Sequence, residues 1–419
     1  MALIWANSPL APLYADLWGT YLTVGAGAFE ISKPLLLWVN DGLMALFFFV
    51  VGLEIKREVL AGELRDPRKA GLAIAAAIGG MAAPALLYFA VTAGTDRAVG
   101  WGIPMATDIA FALGVLALLG SRAPLALKVF LTAVAIVDDL GAVVVIALFY
   151  TAEVDTAALL VSFALVGVLA VANRLGVQRT LVYGLIGLAA WVAMLKSGVH
   201  ATIAGVLVAL TIPATRRIDE VEFLERVGAL IARFREELSP GQEVPTPDQA
   251  AAVHSLEVAC EQVEAPLARL EHGLHGFVAF FVIPVFALAN AGVGLGAGAL
   301  GLLTDPVALG IMVGLVAGKP IGILLLAFVA VKVGLAALPS GVTWTHVLGV
   351  SFLTGIGFTM STFIANLAFG AGPLLDSAKL GILAASVLSG VLGAVVLSRA
   401  ATGGPRSPAE RKAEATAHA

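Results

Sequence analysis

Charged residues are scarce in this chain. Only 13% of its 419 residues are Asp, Glu, Lys or Arg, whereas 59% are hydrophobic and the mean hydropathy is +0.97. Because soluble domains carry about a quarter charged residues, this composition excludes a water-soluble enzyme. The single cysteine, Cys260, excludes a secreted disulfide scaffold. A net charge of −4 without a basic stripe excludes a partner made of nucleic acid.

The sequence contains many long runs of apolar residues. A helix that spans a bilayer needs about 20 mostly apolar residues, and the sequence predicts eleven such spans. They cover 35–53, 70–92, 102–120, 125–149, 157–173, 180–195, 198–213, 277–293, 307–331, 346–369 and 378–398. These runs are too long for barrel strands and do not alternate. The prediction is an all-α polytopic membrane protein in a lipid bilayer.

Basic residues are distributed unevenly between the predicted loops. If the segment after the first span is cytoplasmic, the outer loops hold only Lys33, Arg97, Lys196 and Lys379, and nearly all other Lys and Arg lie inside. This asymmetry follows the positive-inside rule and predicts a cytoplasmic C-terminus.

Polar segments divide the chain into five parts. The longest, 214–275, predicts a cytoplasmic helical insert, with helices near 218–238 and 247–270. Near the N-terminus, β-forming residues around Gly25 and Gly27 predict a small β-hairpin at 20–32, on the extracytoplasmic side. The parts are 1–34 with the hairpin, a transmembrane part at 35–213, the insert, a second transmembrane part at 276–398, and a disordered cytoplasmic tail at 399–419.

Four ionisable residues fall inside predicted spans: Asp108, Asp138, Asp139 and Lys319. Each costs about 2.5–3.5 kcal/mol at mid-membrane on insertion scales, so each is a candidate for function. Asp108 is either the N-cap of a half-helix or an ion ligand. Lys319 is either a structural partner for a carboxylate or part of transport. His200, near the start of the span 198–213, is either a packing residue or a ligand.

The adjacent pair Asp138 and Asp139 is the most informative of these features. Neighbouring residues on a helix project about 100° apart, so one carboxylate can pair with Lys319 while the other faces a water-filled cavity. Two carboxylates this close repel each other when both are charged, which favours trading a proton for a cation. Oxygen ligands suit hard cations, so the pair predicts a metal site for Na⁺ or Li⁺ that also carries H⁺.

Two predicted spans are interrupted by helix-breaking residues. Pro104 precedes Asp108 by one turn, and Gly355-Ile356-Gly357 lies in the middle of 346–369. Each interruption is the second span of a triplet, and the two triplets start on opposite sides of the membrane. This arrangement predicts inverted repeats with two discontinuous, crossing helices and an ion site between them. Asp108 would offset the positive half-helix N-termini, and Lys319 the opposing C-termini.

Several stretches match the motifs of one known family. They are Asn40-Asp41-Gly42-Leu43-Met44, Val51-Gly52-Leu53-Glu54-Ile55-Lys56-Arg57-Glu58, Ala106-Thr107-Asp108-Ile109-Ala110-Phe111-Ala112-Leu113-Gly114, Ala135-Ile136-Val137-Asp138-Asp139-Leu140-Gly141, Lys196-Ser197-Gly198-Val199-His200-Ala201-Thr202, Gly318-Lys319-Pro320 and Gly355-Ile356-Gly357-Phe358-Thr359-Met360-Ser361. On these stretches the sequence resembles the NhaA Na⁺/H⁺ antiporters.

The resemblance implies roles for these residues. Asp139 would be the main carrier of ions and protons, and Asp138 would pair with Lys319 and exchange partners during the cycle. Thr107 and Asp108 would belong to the crossing of the broken helices. A pH-sensing cluster would line the cytoplasmic mouth, although composition alone favours an ordinary solvated helix end there. This cluster comprises Glu54, Arg57, Glu58, Glu271, His272 and His275.

The resemblance also implies an activity and a location. The chain would be an electrogenic Na⁺(Li⁺)/H⁺ antiporter of the bacterial inner membrane, without a cofactor, and a homodimer through the hairpin at 20–32. There are departures from the family pattern. Only a remnant, Ala2–Ser8, stands where the family has a full first helix, the insert is longer, and Gly276-Phe277 replaces the usual Pro-Trp.

Three other functions remain as alternatives. A Na⁺-coupled symporter would need a roomy substrate cavity, and the carboxylate pair with Lys319 favours ions alone. An intramembrane aspartyl protease would place Gly-x-Gly before a catalytic Asp; the chain has Pro84-Ala85-Leu86 but no such Asp. A channel is disfavoured because broken repeats are typical of alternating access.

Overall fold

The computed structural model describes residues 1–25, 30–120, 123–151, 154–216, 218–236, 246–295 and 299–400. Within them the fold is nearly all helical, as predicted. Seven helices are long and apolar enough to cross a membrane, and two bent pairs of half-helices bring this to nine if each pair is one span. Two shorter apolar helices, Thr180–Lys196 and Thr202–Thr211, occupy the two remaining predicted spans.

The helices are numbered here in chain order. They are α1 (Ala2–Ala6), α2 (Ala11–Gly19), α3 (Leu35–Ala61), α4 (Pro67–Thr92), α5 (Ile109–Leu118), α6 (Leu125–Phe149), α7 (Thr156–Arg174), α8 (Thr180–Lys196), α9 (Thr202–Thr211), α10 (Glu220–Glu236), α11 (Pro247–Val263), α12 (Pro266–Asn290), α13 (Ala299–Leu303), α14 (Pro306–Lys332), α15 (Trp344–Leu353), α16 (Phe358–Phe369) and α17 (Pro373–Arg399). A 3₁₀ helix, Asp96–Met105, precedes α5, and a short one, Glu63–Arg65, precedes α4.

Some boundaries differ from the sequence expectation. Helix α9 has 10 residues, because Ile212 is extended before Pro213 and Gly198 turns the chain with φ +81°. Helix α12 begins at Pro266, well before the expected start at 277. Proline suits the first turn of a helix but interrupts the interior of one, so residues 247–270 form parts of two helices rather than one.

Both bent pairs break where the sequence places helix-breaking residues. The 3₁₀ helix Asp96–Met105 and α5 meet at 42°, and α15 and α16 meet at 48°. At the first break, Ala106 is extended after Pro104. At the second, a Cβ on Gly355 would lie 2.5 Å from the Leu315 carbonyl oxygen and 2.6 Å from Ser389 Oγ. Glycine is therefore required there by close packing.

Three of the long spans contain a turn of π-helix. These turns are Trp38–Leu43 in α3, Val278–Val282 in α12 and Gly314–Gly318 in α14. Such turns widen the helix locally and occur often at functional sites. The turn in α14 ends directly before Lys319, which places that lysine at a local irregularity of the backbone.

The chain divides into two compact units. The first contains Met1–Met44, Glu58–Glu153 and the chain from Ala279 onward. Its largest helix contact joins α4 to α14. Gly79 and Gly322 allow that contact, because a Cβ on either would collide with the carbonyl oxygen of the other. Close backbone approach thus holds α14, and with it Lys319, against α4.

The second unit contains Ala45–Arg57 and Val154–Val278. Within it α7, α8 and α9 pack together, and α10 packs against α11. Lys56 Nζ donates to the carbonyl oxygens of Leu210, at 2.8 Å, and Ile212, at 2.5 Å. A lysine at this position satisfies carbonyl groups that the end of α9 leaves without helical partners.

A two-stranded antiparallel sheet lies near the N-terminus, as predicted. Strand β1 (Tyr21–Val24) pairs with β2 (Ile31–Pro34), with Tyr21 opposite Pro34. Residues 26–29 of the predicted hairpin lie outside the described residues, and so does the predicted disordered tail after Ala400.

Candidate ion-binding site

The two helix breaks contact each other through Asp108. Its backbone N–H donates to the Ile356 carbonyl at 2.7 Å. Its carboxylate caps α5 through Oδ1, which accepts from Phe111 N–H at 3.3 Å. Oδ2 accepts from the Thr359 N–H at 2.9 Å and from Thr359 Oγ1 at 2.5 Å. One buried carboxylate therefore lies at the N-termini of both α5 and α16, where partial positive charge accumulates.

A second buried cluster joins Lys319 to Asp138. Lys319 Nζ lies 2.5 Å from Asp138 Oδ2 and 2.9 Å from Thr107 Oγ1. The Thr107 hydroxyl lies 2.6 Å from the same carboxylate oxygen and 2.9 Å from the Thr354 carbonyl oxygen, so it donates to one of them at a time. Thr354 is the C-cap of α15, directly before the second break. The cluster thus links α6 and α14 to both broken spans.

Asp138 and Asp139 occupy the middle of α6, and each is 1% exposed. Asp138 Oδ1 is buried and accepts no hydrogen bond from the described part of the chain. Asp139 follows Asp138 directly on α6, so the two carboxylates lie in the same part of the helix. The group therefore contains two carboxylates and one ammonium, so it can take up a cation or a proton without gaining an unbalanced positive charge.

Four residues of the expected pH-sensing cluster form two contacts in the second unit. Arg57 Nη1 forms an ion pair with Glu271 Oε1. His275 Nδ1 lies 3.8 Å from Glu54 Oε1. Glu271 is largely buried, and its other oxygen accepts no hydrogen bond from the described residues. His272 is exposed, and Glu58 belongs to the first unit.

Comparison with known proteins agrees with this arrangement. The family model described as Na⁺/H⁺ antiporter 1 matches residues 1–397. The chain belongs to this antiporter family. A protein of Oleidesulfovibrio alaskensis named Na(+)/H(+) antiporter NhaA is 52% identical over 398 residues, which cover 95% of this chain and 88% of the relative.

Further relatives are about as similar. An Na(+)/H(+) antiporter NhaA of Koribacter versatilis is 50% identical over 97% of this chain and 88% of its own length. An Na(+)/H(+) antiporter NhaA 2 of Syntrophotalea carbinolica is 51% identical over 96% of this chain and 92% of its own length. As a member of the Na⁺/H⁺ antiporter 1 family with these apolar helices, the chain is a multi-pass membrane protein.

The remaining candidate residues lie in both units of this antiporter. Asp41 lies in the π turn of α3 and pairs with Lys33 of β2 at 2.7 Å. His200 lies in the second unit, in the turn before α9, and its carbonyl accepts from Ile203 N–H. The sequence left two roles open for Asp108, and the structure shows the capping role.

Two residues that form hydrogen bonds at the helix breaks were not expected from the sequence. Thr359 supplies two donors to Asp108, and the Thr354 carbonyl accepts from Thr107. Thr359 lies in the quoted Gly355–Ser361 motif, and its place at the start of a half-helix was the available signal. A carbonyl oxygen gives no signal in a sequence, because every residue has one.

Proposed function

We propose that this chain exchanges Na⁺ for H⁺ across the bacterial inner membrane and that Asp138 and Asp139 bind the two ions in turn. The proposal depends chiefly on one observation, the buried carboxylate pair beside Lys319 at the crossing of two broken helices. The names of the relatives, which are Na⁺/H⁺ antiporters, support it.

Competition for the same oxygens accounts for the coupling. Protons from outside neutralise the carboxylates, and cytosolic Na⁺ or Li⁺ displaces them, because both cations prefer oxygen ligands. Asp139 is the principal carrier, and Lys319 holds Asp138 charged when neither ion is bound. Two carboxylates take up two protons but share one Na⁺, so the exchange moves net charge and is electrogenic. Alternating access between the two sides then completes the cycle.

Asp139→Asn tests this proposal in proteoliposomes with an imposed pH gradient, inside acid. In the wild type, Na⁺ and Li⁺ dissipate the gradient and K⁺ does not. Asp139→Asn keeps the side-chain shape but loses the titratable group, so it gives no cation-dependent signal although it is folded. Asp155→Asn is the matched control, since Asp155 is exposed and its side chain caps α7. A wild type without Na⁺-dependent dissipation from about pH 6.5 to 9 contradicts the proposal.

The pH-sensing cluster at the cytoplasmic mouth is proposed to set the pH at which exchange begins. Histidine is the side chain that ordinarily changes its charge near physiological pH, and His275 contacts Glu54. His275→Gln removes this change in charge, so the pH of half-maximal exchange should move while the maximal rate is kept. His254→Gln is a control, because His254 contacts Glu257 in a similar way on exposed α11. Equal profiles for both variants and the wild type would rule out this role.

The hairpin is proposed to form a homodimer contact on the extracytoplasmic side. All four residues of β1 are exposed, including Tyr21 at 70% and Val24 at 52%. Exposed apolar strand edges pair readily with another chain. Val24→Lys should convert the dimer to a monomer in light-scattering measurements in detergent, whereas Val221→Lys on exposed α10 should not. A cytoplasmic C-terminus is tested separately with reporter fusions after Arg399.

A further inference from the structure

Three asparagine side chains form a continuous hydrogen-bonded ladder. Asn290 Nδ2, near the end of α12, donates to Asn40 Oδ1 at 2.8 Å. Asn366 Nδ2, on α16, donates to Asn290 Oδ1 at 2.8 Å. Asn290 is 1% exposed and Asn40 is also buried. The ladder therefore connects α12 and α16 to the π turn of α3, and all three asparagines belong to the first unit.

Both N–H groups of the Asn290 amide and of the Asn366 amide have hydrogen-bond acceptors. The second N–H of Asn290 donates to the Phe286 carbonyl at 3.0 Å, and that of Asn366 donates to the Thr362 carbonyl at 2.9 Å. A buried polar network of this kind fixes geometry, because any displacement leaves donors without acceptors. One helical turn away, the rings of Phe286 and Phe363 meet edge to face, with centroids 6.2 Å apart. The two contacts form a seam between α12 and α16.

Helix α16 connects this seam to the crossing of the broken helices. Asn366 and Thr359 are seven residues apart on α16, so they lie on one face, two turns and about 10.5 Å apart. Thr359 is the residue that donates twice to Asp108. At the other end, Asn40 is followed by Asp41, which pairs with Lys33 of the hairpin. The ladder thus joins the hairpin region to α16, two turns beyond Thr359.

We propose that Asn290 is a positioning residue for ion exchange. Through Asn366 it fixes the half-helix α16, and so holds Thr359 at the correct place to bind Asp108 beside the ion site. This role rests on the proposed exchange function. The hydrogen bonds of the Asn290 side chain reach Asn40, Phe286 and Asn366, and none of them is made to the carboxylate pair.

Asn290→Ala tests the role with two measurements on the full chain. In detergent, hydrogen–deuterium exchange of a peptide covering 355–363 should become at least tenfold faster, since the Thr359 N–H loses a fixed acceptor. In proteoliposomes, the apparent KM for Na⁺ should change at least fivefold, with kcat within twofold of the wild type. Asn366→Ala should give the same changes, and the double variant no more than either single one, because the two residues share one hydrogen bond.

Ser162→Ala is the matched control. Ser162 is also fully buried, and its hydroxyl donates to the Ala190 carbonyl at 2.9 Å in the second unit. If Ser162→Ala changed hydrogen exchange and KM equally, the effect would be a general loss of stability, and the proposal would be overturned. Unchanged hydrogen exchange in Asn290→Ala, or an unchanged KM, overturns it as well. A wild type without exchange contradicts the proposed function, and the hydrogen-exchange measurement then still decides whether the ladder fixes α16.

Discussion

At the scale of single residues, the buried ion pair of Lys319 and Asp138 raises the question of what it contributes. Both side chains are 1% exposed. Removing two charges from water costs free energy that their attraction barely returns, so such pairs add little net stability. Loss of one partner is much more harmful than loss of both. The pair is therefore better explained by its charges than by stability.

Substitutions at these two positions should show this difference. Lys319→Met leaves Asp138 buried without its cation and should lower the free energy of unfolding by about 3–5 kcal/mol. The double variant Asp138→Leu/Lys319→Met should return close to the wild-type melting temperature. Asp139 then binds ions alone and trades one proton for one Na⁺, so any exchange should be electroneutral. A double variant that does not fold would contradict this explanation.

Competition at the carboxylates predicts a pH dependence of Na⁺ affinity. Protons occupy the same oxygens as Na⁺, so a lower pH raises proton occupancy and weakens apparent Na⁺ binding. Where one of the two protons competes, the apparent KM rises by about tenfold for each pH unit of acidification, and where both compete it rises by up to about a hundredfold. Initial rates at several Na⁺ concentrations between pH 6.5 and 9 measure this. A KM that is constant across the active range would exclude direct competition.

At the scale of elements, the second helix break depends on one glycine. A Cβ on Gly355 would crowd the Leu315 carbonyl oxygen, on the π turn of α14, and Ser389 Oγ, on α17. Leu315 and Ser389 are both fully buried, so neither can move far. The break is therefore shaped by packing from two sides and not by the flexibility of glycine alone.

Gly355→Ala should consequently destabilise the protein by about 1–3 kcal/mol, the range typical of overpacking in a core. Gly390→Ala is the control, because its Cβ would meet Ile356 Cδ1 at an ordinary 3.5 Å. Alanine also favours the interior of a helix, so this variant should be as stable as the wild type. Thermal melting in detergent compares the two. Equal melting temperatures would contradict the packing argument.

The sequence predicts the elements better than their details. The span 125–149 is predicted to the residue, because a long apolar run marks a spanning helix. The π turns are not predictable in this way, since a turn that differs by one residue leaves the apolar pattern unchanged. The charged site residues stand out because charge is costly in lipid. Thr359 and Asn290 escape notice, because neutral polar residues are common in spans and reveal a role only when their partners are known.

At the scale of the whole molecule, the polar insert has its ends close together. The Ile218 N–H donates to the Gln262 carbonyl at 3.3 Å, and Leu267 N–H donates to the Pro213 carbonyl at 3.1 Å. Helices α10 and α11 pack chiefly on each other between these points. The insert is therefore attached as a closed loop, whose removal does not require the remaining chain to stretch.

Replacing residues 219–261 with a short Gly-Ser turn should leave a folded antiporter. The geometry requires only a turn of about two to four residues, as in a hairpin connection. Melting temperature and Na⁺-dependent exchange should both stay near those of the full chain. Loss of exchange in a variant that still folds would show that the insert takes part in transport.

The double role of Asp108 has a mechanical consequence for the whole cycle. Since the carboxylate of one break caps the half-helix of the other, the two breaks form a single joint. Moving α5 without α16 would break its two bonds from Thr359. Hydrogen bonds to a charged group contribute about 1.5–3 kcal/mol each, so fewer than about one molecule in a hundred would have only one half displaced. The joint should bend in one concerted step, with no stable half-open state through which ions could leak.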